Sequence, residues 1–325
     1  MINMIPIYIE NWLTIIEQMN NDNTYKLAWG RAIIECICFD NYCIEENKLI
    51  IKFNDISKCM IKYYWNQLFF FKLKQSPYND KEPTICKYVK KLIEEWKNNK
   101  HSAIPIWYDE IEVKNNNKDL FESILKKISK TLHENVSWRF KNTSSGIVGI
   151  YEYSKENSTI SINFDDAMLI KNDYGLILSK LLNYKWTQLL EKFNYQPKIA
   201  SKVSGISCNK LRRQNLVKYK NELLKEYNGK AIDFYTGEEL DNADISVDHV
   251  IPWSFMYSDD IWNLVLTSKS HNSSKNNSIP SSQTIEKLKE RNNKIKNIVS
   301  DTFKLELEES LKNNYLDKFY YECRL

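Results

Sequence analysis

Ile245-Ser246-Val247-Asp248-His249-Val250-Ile251-Pro252-Trp253-Ser254-Phe255 is the stretch on which the reading of this chain turns. An apolar run closes on an Asp-His pair. Fourteen residues after His249, Asn263 opens a second apolar run, Leu264-Val265-Leu266; nine residues further, Asn272 lies in a polar stretch with Lys275 one helical turn on. The spacing predicts two short strands joined by a loop, with a helix over 269–277 packed across both. Such a frame brings Asp248 and Asn272 together as hard oxygen donors for one Mg²⁺ or Mn²⁺, with water and phosphate oxygens completing the shell. His249 would stand beside them with a neutral nitrogen able to take a proton from water. A hard metal with few protein ligands beside a histidine base suits phosphodiester hydrolysis.

The segment resembles the HNH (ββα-metal, His-Me finger) endonucleases. The resemblance is carried by Val247-Asp248-His249-Val250-Ile251-Pro252-Trp253-Ser254-Phe255, by the loop exit Asp259-Asp260-x-x-Asn263 and by Asn272-x-x-Lys275. It is most similar to the HNH domain of the RNA-guided CRISPR effector nucleases, which also hold a Ser-Phe and an acidic pair in the loop. The resemblance implies a general-base role for His249 and metal ligation by Asp248 and Asn272. It also implies that Asn263 holds the loop and the histidine in place, and that Lys275 lies near phosphate. An accidental strand-end Asp-His among the asparagines of an Asn-rich chain would explain Asn272, but not the whole constellation.

One departure from the family matters. Many of its members clamp the motif with Zn²⁺ between two cysteine pairs, but here those positions hold Asp233, Thr236, Ser268 and His271. A tetrahedral zinc site needs sulfur or imidazole at most corners, so no structural zinc is expected. His271 is then a packing or phosphate-facing residue, or else a contributor to the catalytic metal site.

Length and composition set the bounds. At 325 residues the chain suits two or three domains. A hydrophobic share of 42% with 13% aromatics is enough for cores, and seven glycines with seven prolines favour a helix-rich fold. A net charge of +4 neither establishes nor excludes nucleic-acid binding, because the local distribution matters more than the sum. Seven irregularly spaced cysteines do not form a disulfide framework and fit a reducing cytosol. No apolar run is long enough to cross a bilayer and no basic leader precedes one, so a cytoplasmic protein is expected.

Outward from the motif, helices are predicted over 8–40, from Asp55 to about Lys74, over 84–97 and over 116–132, with a strand over 49–53. Strands are predicted at 136–140, 147–151 and 159–162, and a long amphipathic helix at 174–193 behind a cap at Asp165. The aromatic run from Tyr63 to Phe71, mixed with lysines, reads either as a stacking platform for nucleic acid or as a core stripe; its three- and four-residue spacing favours the core. Lys210, Arg212, Arg213, Lys218 and Lys220 sit on a helix leading into the motif. They read as a phosphate-contacting surface or as a solvated helix face.

The expected fold is α+β. A helix-rich N-terminal domain (1–115) precedes an α+β middle region with a small antiparallel sheet (116–204). A ββα-metal nuclease domain with C-terminal helices and no zinc ribbon follows (205–325). A softer resemblance covers the segment order, with Tyr25-Lys-Leu-Ala-Trp-Gly-Arg-Ala32, Tyr63-Tyr-Trp65, Trp138-Arg-Phe140 and Arg212-Arg213 ahead of the motif. That order is similar to a group of bacterial HNH-domain proteins with restriction and anti-phage roles. The expected function is therefore a metal-dependent DNA endonuclease of bacterial defence. Lys275, Arg212, Arg213, Lys218 and His271 are its expected nucleic-acid contacts, and a homodimer or a defence partner protein its expected company. The alternative is a nucleic-acid-binding or sensor protein whose nuclease module stays inactive until a partner or signal acts on residues 1–200.

Overall fold

Lys48-Leu-Ile-Ile-Lys52 alternates exposed and buried side chains along β2 (Lys48–Lys52), as a strand with one wet face must. In a computed structural model this strand organises the first of two units. The structure describes residues 5–77, 82–100, 102, 104–111, 118–204 and 215–324. β1 (Cys43–Glu45), β2, β6 (Thr159–Asn163) and β5 (Glu152–Ser154) form an antiparallel sheet in the order β1-β2-β6-β5. Ile51 faces Ile160 and Leu49 faces Ile162, all four buried. The strand pairing thus joins residues 48–52 to 159–163, so segments expected as separate 1–115 and 116–204 regions share one sheet. Residues 5–194 and 199–204 cluster as one unit, and residues 215–324, with 195–198, as the other.

Around the sheet lie α1 (Ile7–Gln18), α2 (Tyr25–Cys38), α3 (Phe53–Trp65), α4 (Thr84–Lys100) and α5 (Lys118–Asn135). α6 (Phe164–Leu169), α7 (Gly175–Glu191) and α8 (Ile199–Ser204) complete the unit. Tyr63, Tyr64, Trp65 and Phe71 are fully buried, and Trp65 meets Phe69 and Trp96 edge-on at 5.5 and 6.4 Å. The aromatic run is core, as its spacing favoured. Each such ring contributes roughly 1.5–3 kcal/mol on burial. Gly30 is required by the close approach of Phe140: a Cβ there would lie 2.7 Å from its Cζ.

Three local expectations are corrected. Residues 136–140 are not a strand, because Val136 N donates to Leu132 O and Phe140 N to Val136 O, extending helical turns past α5. The strand expected at 147–151 shrinks to a hairpin of two-residue strands, β3 (Asn142–Thr143) and β4 (Gly146–Ile147). The cap before α6 is Asn163, whose side chain accepts from Asp165 N and Asp166 N; Asp165 is inside the helix.

In the second unit α9 (Val217–Leu223) precedes β7 (Ile245–His249), which pairs antiparallel with β8 (Leu264–Ser268). A loop containing α10 (Trp253–Met256) joins them, and α11 (Lys269–Lys275) packs across both strands. This is the predicted two-strand-and-helix frame. α12 (Ser282–Ile295), α13 (Asp301–Lys312) and α14 (Tyr315–Arg324) follow. Ile285, Leu288 and Ile295 of α12 join Val250, Ile251 and Leu264–Leu266 in one apolar cluster, so α12 supports the strands from behind. No helix among the described residues is long and apolar enough to cross a membrane.

Candidate active site

β7 ends on the residues of interest. The register pairs Asp248 with Val265 and His249 with Leu264, the last pair of the ladder. The loop then returns through Val250 N, which donates to Asn263 O at 2.9 Å. The Asn263 side chain closes the loop on both sides of Ile251: its Oδ1 accepts from Ile251 N at 2.8 Å and its Nδ2 donates to Ile251 O at 2.9 Å. Asn263 is fully buried and both its polar atoms are used. From behind, α12 stitches the same exit, with Asn292 Nδ2 donating to Trp262 O at 2.8 Å and Arg291 Nη2 to Leu264 O at 2.7 Å.

His249 Nε2 lies 2.8 Å from Asp259 Oδ1, and both side chains are about nine-tenths buried. A carboxylate accepts, so Nε2 is the donor in this pair, and in the neutral ring the Nδ1 lone pair is then left for another partner. Asp259 is itself held, since the Tyr219 hydroxyl of α9 donates to its carbonyl. Neither the Asp259 pairing nor Tyr219 was singled out from sequence. The acidic pair carried the resemblance, but which carboxylate meets the histidine depends on the path of the loop.

Asp248 is 4% exposed and has two donors around it. Tyr235 Oη donates to its Oδ2 at 2.5 Å, and Lys275 Nζ lies 3.1 Å from Oδ2 and 3.4 Å from Oδ1. Lys275 also donates to the His249 carbonyl at 2.7 Å. Burial, then the Asp248 charge, pushes the Tyr235 phenol well above its ordinary range, so it remains a donor. Asn272 turns its Nδ2 to Ser246 Oγ at 2.7 Å and Val247 O at 3.4 Å, which leaves its Oδ1 as the outward acceptor. Asp248, His249, Asp259 and Asn272 line one cavity of about 410 Å³, with Trp253 and Asn276 on its walls.

The donor set suits a hard cation. It consists of a carboxylate that already draws an ammonium group and an amide oxygen whose nitrogen is spoken for. Among the described residues no three His, Cys, Asp or Glu side chains converge on a common point. A metal here would therefore take most of its shell from water and phosphate.

At the positions where family members carry cysteines, a carboxylate ties the two segments together. Asp233 Oδ1 accepts from Tyr235 N at 2.8 Å and Thr236 N at 3.1 Å; its Oδ2 accepts from Thr267 Oγ1 at 2.8 Å and Ser268 N at 3.0 Å. Burial alone would raise this carboxyl, but the bonds from Thr267, Thr236, Ser268 and Tyr235 outweigh it and hold it below its ordinary value. His271, expected to pack or to face phosphate, stacks on Tyr235 with ring centroids 4.5 Å apart. Ser268 caps α11 through its Oγ.

The basic helix is seen in part. Lys218 and Lys220 lie on α9, with Lys218 Nζ 4.7 Å from the Tyr219 ring centroid. Lys210, Arg212 and Arg213 lie outside the described residues. Lys275, expected near phosphate, is spent on Asp248 and His249 O, and its side chain is 9% exposed.

Comparisons with known proteins agree with this frame. An HNH endonuclease profile matches residues 233–281, and a profile for a domain of unknown function, DUF8808, matches residues 9–204. The chain is 43% identical over 60 residues to the CRISPR-associated endonuclease Cas9 of Streptococcus mutans and 42% identical over 65 residues to that of Listeria innocua. These stretches cover 18% and 19% of this chain, and only 4% and 5% of the relatives' own length. No solved structure matches. The chain belongs to the DUF8808 family through residues 9–204, and it carries behind that domain an HNH endonuclease module at residues 233–281.

Proposed function

We propose that the module is a metal-dependent endonuclease that hydrolyses DNA phosphodiester bonds, with His249 activating the attacking water. The observation that carries this reading is the convergence of Asp248, His249 and Asn272 on one cavity, with Asp259 behind the histidine. Asp259 holds the Nε2 proton and turns the basic Nδ1 atom into service as the proton acceptor. Asp248 and Asn272 Oδ1 would hold one divalent ion, as HNH nucleases generally do. Mg²⁺ or Mn²⁺, when bound, supplies positive charge to the scissile phosphate and the leaving oxygen. Asn263 keeps the loop, and with it the histidine, in register. Lys218, with Arg212 and Arg213, supplies sequence-independent phosphate contacts; Lys275 and His271 could meet the strand only by leaving Asp248 and Tyr235. One such site cuts one strand, so a double-strand break requires a homodimer or two successive nicks.

DNA as substrate and bacterial defence as setting are supported by the relatives, which are CRISPR-associated endonucleases. The test is a nicking assay on supercoiled plasmid with Mg²⁺ or Mn²⁺. Metal-dependent relaxation that is lost in His249→Ala and in EDTA supports the reading. Equal cutting by His249→Ala and the unaltered chain would refute the role of the histidine.

A second reading has an observation of its own. Lys275 Nζ sits against both oxygens of Asp248, a cation on the carboxylate that would otherwise serve the metal. A module held silent until a partner or signal acts would look like this. It predicts that the full chain alone is inert and that Lys275→Ala releases activity.

A further inference from the structure

The N-terminal unit has a cavity of about 370 Å³ between α5 and the start of α3. Lys126, Ser129, Lys130 and His133 of α5 face Lys52 and Asn54 across it. Every residue that lines it is polar and none is acidic.

Two of these groups have no partner. Ser129 is 9% exposed, and its hydroxyl makes no hydrogen bond among the described residues. His133 Nε2 is buried and likewise unpaired. Buried polar groups are ordinarily satisfied, so the orphaned His133 nitrogen, next to a Ser129 hydroxyl with no protein partner, marks a place for a polar ligand. α3 also begins here. Phe53 N donates to Ser158 O, and no side chain caps the rest of the first turn, so free N–H groups and the positive end of a thirteen-residue helix lie at the rim. Of the neighbouring acids, Asp55 pairs with Lys58 at 2.8 Å, and Glu134 lies 3.8 Å from the lining Lys130. Lys52 and Lys126 have no ion-pair partner among the described residues.

Lysines, a hydroxyl, an imidazole nitrogen and helix N–H groups all serve one kind of ligand, an oxyanion. The volume exceeds what a single phosphoryl group fills, and no hydrophobic residue is among those that line it. The unpaired His133 nitrogen is buried, below the reach of a duplex backbone lying on the surface. We propose that this cavity binds the phosphate chain of a small phosphorylated molecule, two or more phosphoryl groups long.

The test is calorimetric titration of the full chain in EDTA with orthophosphate, tripolyphosphate and ATP, repeated for Lys126→Ala/Lys130→Ala and for Ser129→Ala. Both lysines are exposed, so the double variant should fold with an unchanged melting midpoint. The expected result is tripolyphosphate and ATP binding at least tenfold tighter than orthophosphate, with a tenfold or greater loss in the double variant and a smaller loss in Ser129→Ala. Equal affinity for orthophosphate and tripolyphosphate, or binding unaltered by the variants, would overturn the site. Displacement of tripolyphosphate by a duplex oligonucleotide would overturn the small-molecule assignment in favour of a nucleic-acid backbone. No cleavage is needed, so this result is independent of the nuclease reading.

Discussion

His249 Nε2 and Asp259 Oδ1 are 2.8 Å apart, although ten residues and a helical loop separate them in the chain. The carboxylate selects the ring nitrogen that keeps the proton, and so selects the one that can act as base. His249→Ala should lower single-turnover nicking by roughly 10²–10⁴-fold. Asp259→Ala should fall between that variant and the unaltered chain, because the base survives and only its orientation is lost. If Asp259→Ala cuts at the unaltered rate, the pair has no part in the reaction.

The Tyr235 hydroxyl sits on Asp248 Oδ2 at 2.5 Å. Groups that hold a metal ligand from behind typically contribute about 10–100-fold to metal affinity. Tyr235→Phe, which keeps the stack on His271, should raise the half-saturating Mg²⁺ or Mn²⁺ concentration by about tenfold with little change in the rate at saturation. An unchanged metal titration would remove Tyr235 from the site.

Asp233 ties two segments of the second unit together. Its carboxylate accepts four hydrogen bonds that join the 233–236 turn to the end of β8. Asp233→Ala should cost about 3 kcal/mol, read by urea denaturation monitored within this unit. Its folded carboxyl lies below the ordinary value. The stabilisation is therefore complete above the ordinary carboxylate range and is lost as pH falls from there through the lower folded value. The gap between the two proteins should close under acid.

Glu306 of α13 behaves in the opposite sense. Its Oε1 accepts from Ile261 N at 2.5 Å, while burial first, and the Asp260 charge second, push its carboxyl up to about 7. A raised folded value means that the native state holds the proton where the unfolded chain has lost it. Stability contributed by Glu306 therefore falls as pH rises from the ordinary carboxylate range through about 7. Glu306→Gln keeps the acceptor for Ile261 N and removes the charge. Its melting midpoint should exceed that of the unaltered chain at pH 8, with the difference gone at pH 4; a constant difference across that range would refute the assignment.

Much of the second unit could be read before any fold was known. The Asp-His pair, Asn263, Asn272 and the two apolar runs predict β7, β8 and α11, because alternating and helical periodicities are local properties of a chain. The aromatic run of α3 was legible as core for the same reason. The 136–140 segment was not, since its β-branched and aromatic composition suits a strand while its backbone found carbonyls four residues back.

The sequence by itself determined which atoms are available: a carboxylate, an imidazole and an amide oxygen at strand ends and on one short helix. Only the tertiary structure decided their partners. Asp259 meets His249, Tyr235 meets Asp248 and Asp233 meets Thr267, because each contact spans at least ten residues and depends on how the chain packs. The same holds for the polar cavity of the first unit. Lys52 and Lys126 are 74 residues apart in the chain. Nothing local brings them to one cavity; the packing of α5 beside α3 does.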